Sequence, residues 1–172
     1  MSAEAIAQPP VDCGCIIFEE LEEMMKFSKK SRYALTALID LSVNSKTDHV
    51  ALNSIAERNG ISTQYLEQVF ASLRRAGIVK SIKGPQGGYL LNHGANEITV
   101  ASILEATEGN YRFENEEGSE ESKNHGIAVT IQENVIDRVN RELDAILKNL
   151  TLADLEKDYL ERDAYGQDMY YI

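Results

Sequence analysis

The chain has 172 residues, 43% of them hydrophobic, only two cysteines and a formal net charge of -11. That length suits one domain, or one small domain with an added helical element, and supplies enough apolar residues for a core. No apolar run reaches the roughly 18 residues of a membrane span, Cys13 and Cys15 give no disulfide framework, and the N-terminus lacks the basic-then-apolar order of a secretory signal, so a cytoplasmic protein is expected.

Residues 1–24 read as a poorly ordered extension. Pro9-Pro10 breaks any early helix, and Met24-Met25 precedes a sharp change in composition. A first helix is expected over 28–43, where Tyr33, Ala34, Ala37, Leu38 and Leu41 recur at helical spacing. Ser28 can cap it, and Lys29, Lys30 and Arg32 crowd its opening turn. Those cations oppose the helix macrodipole, which is easier to understand if phosphate lies nearby.

A short helix, Ser54 to Asn59, is expected next, capped by Asn53 and ended by Gly60. Ile61 bridges a tight turn, and Ser62 or Thr63 caps a further helix. In that helix Leu66, Val69, Phe70 and Leu73 form a buried i, i+3, i+4, i+7 face. A helix, a glycine-containing turn and a second helix make the helix-turn-helix arrangement. Residues 78–91 then read as a hairpin around Lys83-Gly84-Pro85-Gln86-Gly87-Gly88, a basic, glycine-rich tip that can approach another surface closely.

Thr99 can cap a helix over 99–108, followed by an acidic, glycine-punctuated loop over 109–126. A long helix is expected over 131–150, with Ile136, Val139, Leu143, Ile146 and Leu150 at the spacing of a helix–helix seam. Ile131, Val135 and Leu147 widen that stripe. Thr151 and Asp154 start a last short helix, and the chain ends Met169-Tyr170-Tyr171-Ile172, an apolar terminus of the kind that docks against something.

The acidic total conceals a basic module. Residues 26–93 hold ten Lys/Arg against four Asp/Glu, whereas residues 1–25 hold six acids and no Lys or Arg. Charge concentrated on a helix-and-hairpin unit is the electrostatic footprint of a nucleic-acid binder. In such a reading the N-terminal part of the helix from Ser62 enters the major groove. Gln64 and Gln68 suit adenine edges, and Glu67 can accept from cytosine N4. Ser62, Thr63 and Tyr65 are further phosphate or base contacts, as are Ser28, Lys29, Lys30 and Arg32 at the first helix. Arg74, Lys80 and Lys83 add positive charge, and Gln86 and Gly87 carry the hairpin tip to the minor groove or backbone. A dimer built on the long helix would read an inverted repeat in double-stranded DNA.

Catalytic and cofactor patterns are missing from the sequence. The glycine turn has neither the spacing of a P-loop nor a helix after it. His49, His93 and His125 show no ligand spacing, Cys13-Gly14-Cys15 lacks the remaining ligands of a tetrahedral metal site, and there is no nucleophile elbow. Neither an enzyme nor a cofactor is expected.

Five segments together resemble the Rrf-two family of winged-helix transcription regulators: Ser28–Leu35, Ile61–Gln68, Leu73–Val79, Lys83–Tyr89 and Ile103–Gly109. The resemblance runs from about Met25 to Leu152. It implies a mainly α fold with a small β-hairpin wing: a winged helix-turn-helix domain over 25–98, a linking helix and acidic loop over 99–130, a dimerisation helix over 131–150 and a C-terminal helix and tail over 151–172. It also implies a homodimer that binds DNA. Iron-sulfur members carry three cysteines in the loop after the Glu-Gly motif, and residues 109–126 here have none, which excludes a thiolate-held cluster at that place. The chain is most similar to the cysteine-free, CymR-type branch, repressors of cysteine metabolism whose partner protein is the cysteine synthase CysK. Two alternatives remain open: a module that binds such a metabolic enzyme, or a small-molecule-responsive regulator of another pathway.

Overall fold

A computed structural model describes residues 28–46, 48–84, 87–114 and 125–168. The expected N-terminal extension, the hairpin residue Gln86, most of the acidic loop and the Met-Tyr-Tyr-Ile terminus lie outside the described residues.

Among the described residues the first helix is α1, Lys29–Asn44. Ser28 caps it by accepting hydrogen bonds from the backbone N–H groups of Lys30 and Ser31. Ala34, Ala37, Leu38 and Leu41 are fully buried on one face, as their spacing dictates. Helix α2 spans Leu52–Asn59. Its N-cap is Ala51, with no side-chain bond, so the expected cap at Asn53 is corrected. Apolar Leu52 packs against the core and draws the helix start toward it, and the missing cap weakens that end.

Gly60 adopts the left-handed conformation and closes α2, and the Ile61 N–H donates to the Ala56 carbonyl at 3.0 Å. Helix α3, Thr63–Arg75, follows under a Ser62 cap. Its Leu66, Val69, Phe70 and Leu73 are fully buried. Strands β1, Val79–Ile82, and β2, Gly88–Leu91, pair antiparallel with Lys80 opposite Leu90. Val50 adds a bridge to Tyr89, the two exchanging backbone bonds of 3.0 and 2.8 Å. The Tyr89 ring stands edge-on to Phe70, centroids 4.7 Å apart, which fastens the hairpin to α3.

Helix α4, Val100–Glu108, starts at Thr99 and separates two apolar clusters. Its Ile103 joins the main cluster with α1, α2, α3 and the hairpin root. Its Val100, Ala101 and Leu104 meet Leu147, Leu143 and Leu150 in a second, smaller one. The long helix is α5, His125–Ile131, a π-helical turn, Gln132–Ile136, and α6, Asp137–Asn149. It starts six residues before the expected position at 131 and is about 37 Å long at 1.5 Å per residue over 125–149.

The last helix, α7, spans Leu152–Asp168. At 17 residues it is not the short helix expected. Leu152 anchors it in the main cluster, and the Glu156 carboxylate meets Ser42 and Lys46 on and just beyond the tail of α1. No helix among the described residues is long and apolar enough to cross a membrane.

Candidate nucleic-acid interface

Burial of the apolar face of α3 forces its polar face outward. Ser62, Gln64, Glu67, Gln68, Arg74 and Arg75 are all exposed, while Thr63 and Tyr65 are half-buried. Residues 64, 67 and 68 lie three and four apart, so they share one stripe of the helix. The Tyr65 ring stands edge-on to Tyr33 of α1, with centroids 5.5 Å apart at 88°. That contact joins the head of α3 to α1 at the surface of their shared core.

The hairpin lies beside the C-terminal end of α3. Arg74 Nη1 reaches to 3.5 Å from the Ser81 hydroxyl on β1. Lys80 and Lys83 are exposed, so their charges stand in solvent. The Gly87 N–H donates to the Gly84 carbonyl at 2.9 Å and tightens the tip. Arg74, Lys80, Lys83 and the polar stripe of α3 thus share one helix-and-hairpin unit.

Lys29 and Arg32 are exposed, and Ser28 and Lys30 hydrogen-bond to the end of α4. Ser28 Oγ donates to Glu108, and Lys30 Nζ donates to the Thr107 carbonyl at 2.8 Å. Buried Ser31 contacts the Thr107 hydroxyl at 2.8 Å and donates to Glu108 at 2.5 Å. A carboxylate therefore stands where the macrodipole of α1 favours an anion, and Lys30 satisfies a carbonyl at the C-terminal end of α4. These partners are 76 to 80 residues away in sequence, so no local pattern announces them.

Arg58 and Asn59 of α2 both donate to Asp40 of α1, with Arg58 Nε and Asn59 Nδ2 each 2.9 Å from Oδ2. Donating to the Asp40 carboxylate holds the Arg58 guanidinium above its ordinary pKa, outweighing partial burial. This bidentate pair locks α2 to α1 and so fixes the turn that aims α3.

The seam residues of the long helix divide into two sets. Leu143 and Leu150 pack in the second cluster beside buried Leu147. Ile136 is half-buried, Val139 is exposed, and Ile146 is 60% exposed. Ile127, Ile131 and Val135 are exposed too. In a regular α-helix the step of four from 127 to 139 would drift by about 40° each time. The π turn uses more residues per turn and offsets that drift. The result is an apolar face, Ile127–Ile131–Val139–Ile146, left uncovered by the described residues.

The family model described as "Rrf2: Iron-dependent Transcriptional regulator" matches residues 27–158. The regulator IscR of Pectobacterium carotovorum is 36% identical over 154 residues, covering 83% of this chain and 93% of that protein. The structure of CymR, the global cysteine regulator of B. subtilis, is similar at 35% identity and a TM-score of 0.65, over 77% of this chain and 97% of that one. The structure of T. potens IscR is similar at 37% identity and a TM-score of 0.61, over 78% and 88%. The donor set of the loop does not fit an iron–sulfur cluster: residues 110–124 contain no cysteine and offer only oxygen and nitrogen atoms. The family match and the shared length with IscR and CymR show that this chain belongs to the Rrf2 family of winged-helix, DNA-binding transcriptional regulators, which are not enzymes.

Proposed function

We propose that the chain is a dimeric repressor of cysteine or sulfur metabolism genes that reads an inverted repeat with α3 and its hairpin wing. The observation that carries DNA contact is the outward stripe Gln64–Glu67–Gln68 beside the exposed Lys80 and Lys83. Side chains that end in amides and a carboxylate suit base edges in a major groove, and lysines on a wing suit phosphate. Thr63 and Tyr65, half-buried at the head of α3, and Arg74, Arg32 and Lys29 supply backbone contacts in this reading. Ser28 and Lys30 contribute indirectly, by fixing the head of α1.

The apolar face of the long helix supports a second copy of the chain as its cover. Four exposed branched residues on a helix of about 37 Å are costly in water and typical of a helix–helix seam. The repressing role and the sulfur genes rest on similarity to CymR, as does a cysteine synthase as protein partner. Footprinting on the organism's own DNA, with and without a cysteine synthase, tests all of these together. The expected result is protection of an inverted repeat upstream of sulfur-assimilation genes, extended or strengthened by the enzyme. Protection of unrelated promoters, insensitive to the enzyme, sinks the sulfur reading and leaves the family intact.

A further inference from the structure

Six residues join the end of α4 to the flank of α6, and both ends of this strap are fastened. At its start, Glu108 accepts from Ser28 and Ser31 at the head of α1. Gly109 follows with φ 86° and ψ -127°, a conformation reserved for glycine. At the other end, Arg112 forks onto Asp144 of α6, with Nε at 2.9 Å and Nη2 at 3.1 Å, and Tyr111 donates to the same carboxylate at 2.7 Å. The Phe113 backbone exchanges two bonds with the Asn140 amide, at 2.9 and 3.0 Å. Tyr111 also packs beside Leu104 and Leu147.

The chain of contacts continues on the other side. Head residues of α1 precede Tyr33, and the Tyr33 ring meets Tyr65 at the head of α3. The bonds of Arg112 and Tyr111 to Asp144, of Phe113 to Asn140, and of Glu108 to Ser28 and Ser31 thus form one continuous path from α6 to the head of α1. We propose that the strap from Glu108 to Phe113 couples the long helix to the DNA-reading unit, with Glu108 as the positioning residue at the DNA end and Asp144 as its anchor on α6.

This coupling rests on the DNA reading above, and the test separates the two. Full-length Glu108→Gln, Asp144→Asn and the double variant are compared for affinity to the footprinted repeat and to unrelated duplex, with thermal unfolding and oligomeric state as controls. Each single change is expected to weaken binding to the repeat by about five- to tenfold and to leave unrelated duplex within twofold, so that the specificity ratio falls. The double variant is expected to be no weaker than the worse single one, because both break the same link. Gly109→Ala, which strains the strap without removing any contact, is expected to behave likewise and serves if Glu108→Gln folds poorly. Effects that multiply in the double variant overturn the coupling. So does an unchanged specificity ratio in variants that merely melt earlier. Lys83→Ala is the control for the underlying reading: if it too leaves affinity for the repeat unchanged, the DNA surface itself is misassigned.

Discussion

Gly88 lies directly against Val50: a Cβ placed on Gly88 would stand 2.5 Å from the Val50 carbonyl oxygen. The contact exists because Val50 pairs with Tyr89 and brings a third piece of extended backbone to the hairpin. Gly88→Ala must therefore push the wing away from the segment that enters α2. Overpacking of this kind costs roughly 1–3 kcal/mol, and the melting temperature is expected to fall by about 2–12 °C. Differential scanning calorimetry checks this, and Gly84→Ala, where a Cβ meets nothing within 4 Å, is the comparison for backbone strain alone.

The two kinds of DNA contact should respond differently to substitution. Lys83→Ala removes an exposed wing charge that the proposed reading sets against phosphate, so it is expected to weaken binding to all duplexes alike and to lower the salt slope by about 1. Gln68→Ala is expected to leave the slope unchanged and to relax one base-pair position by about 1–3 kcal/mol. Fluorescence anisotropy over a salt series, with single-base variants of the repeat, measures both. Equal salt slopes for wild type and Lys83→Ala would remove the wing from the interface.

The elements that position this surface were legible because local patterns specify them. The buried set Leu66–Val69–Phe70–Leu73 defines α3, and Ser62, Gly60 and Thr99 punctuate their helices through bonds to near neighbours. The rest depends on distant partners. Lys30 reads as a phosphate contact because its charge, with those of Lys29 and Arg32, crowds a helix head, and Ser28 because it caps the same turn; only the folded chain brings Glu108 and Thr107 there. Helix α2 starts at Leu52, under an Ala51 cap, because the packing of apolar Leu52 outweighs the better capping residue Asn53. Leu143 and Leu150 share the apolar spacing of Val139 and Ile146, so spacing alone gave no means of dividing seam from core.

Acid is expected to loosen α7. Burial alone would raise the Glu156 carboxyl, but hydrogen bonds from Lys46 and Ser42, with the charge of Lys46, outweigh burial and hold it below its ordinary value of 4.5. A carboxyl lowered in the folded state stabilises fully above its unfolded value, and that contribution is lost as pH falls through the folded value. Thermal unfolding between pH 7 and 3 is expected to show a shallower acid loss for Glu156→Gln than for the native chain. Parallel curves would mean that Glu156 does not hold α7.

Tyr111 should ionise late. Burial, then its bond to Asp144, pushes its phenol up to about 12, although the Arg112 charge opposes this. The proton is held more tightly folded than unfolded, so this contribution is complete below the ordinary value of 10.0 and fades as pH rises through the folded value. Ultraviolet titration of the native chain against Tyr111→Phe is expected to lose the latest-ionising component. Asp144→Asn is expected to bring that component to lower pH.

The proposed seam predicts a clean separation of assembly from folding. Val139→Glu places a charge on the uncovered face while leaving the cluster around Leu147 untouched. Light scattering is expected to report a monomer and circular dichroism an unchanged helical spectrum. A variant that remains dimeric would move the interface elsewhere.

The π turn at Gln132–Ile136 gives the long helix a spare residue. Across it, twelve residues advance the helix about as far as eleven would in regular α geometry, which leaves Ile127 within about 20° of Val139. Shortening the chain there by one residue, for instance by deleting Asn134, therefore relaxes the turn to ordinary α-helix and leaves the face in phase. Inserting a residue at the same place offers no such relief and swings the two halves apart by about 100°. The face that a second copy would meet is thus tolerant to loss and intolerant to gain, and the length of this stretch carries information that its side chains do not.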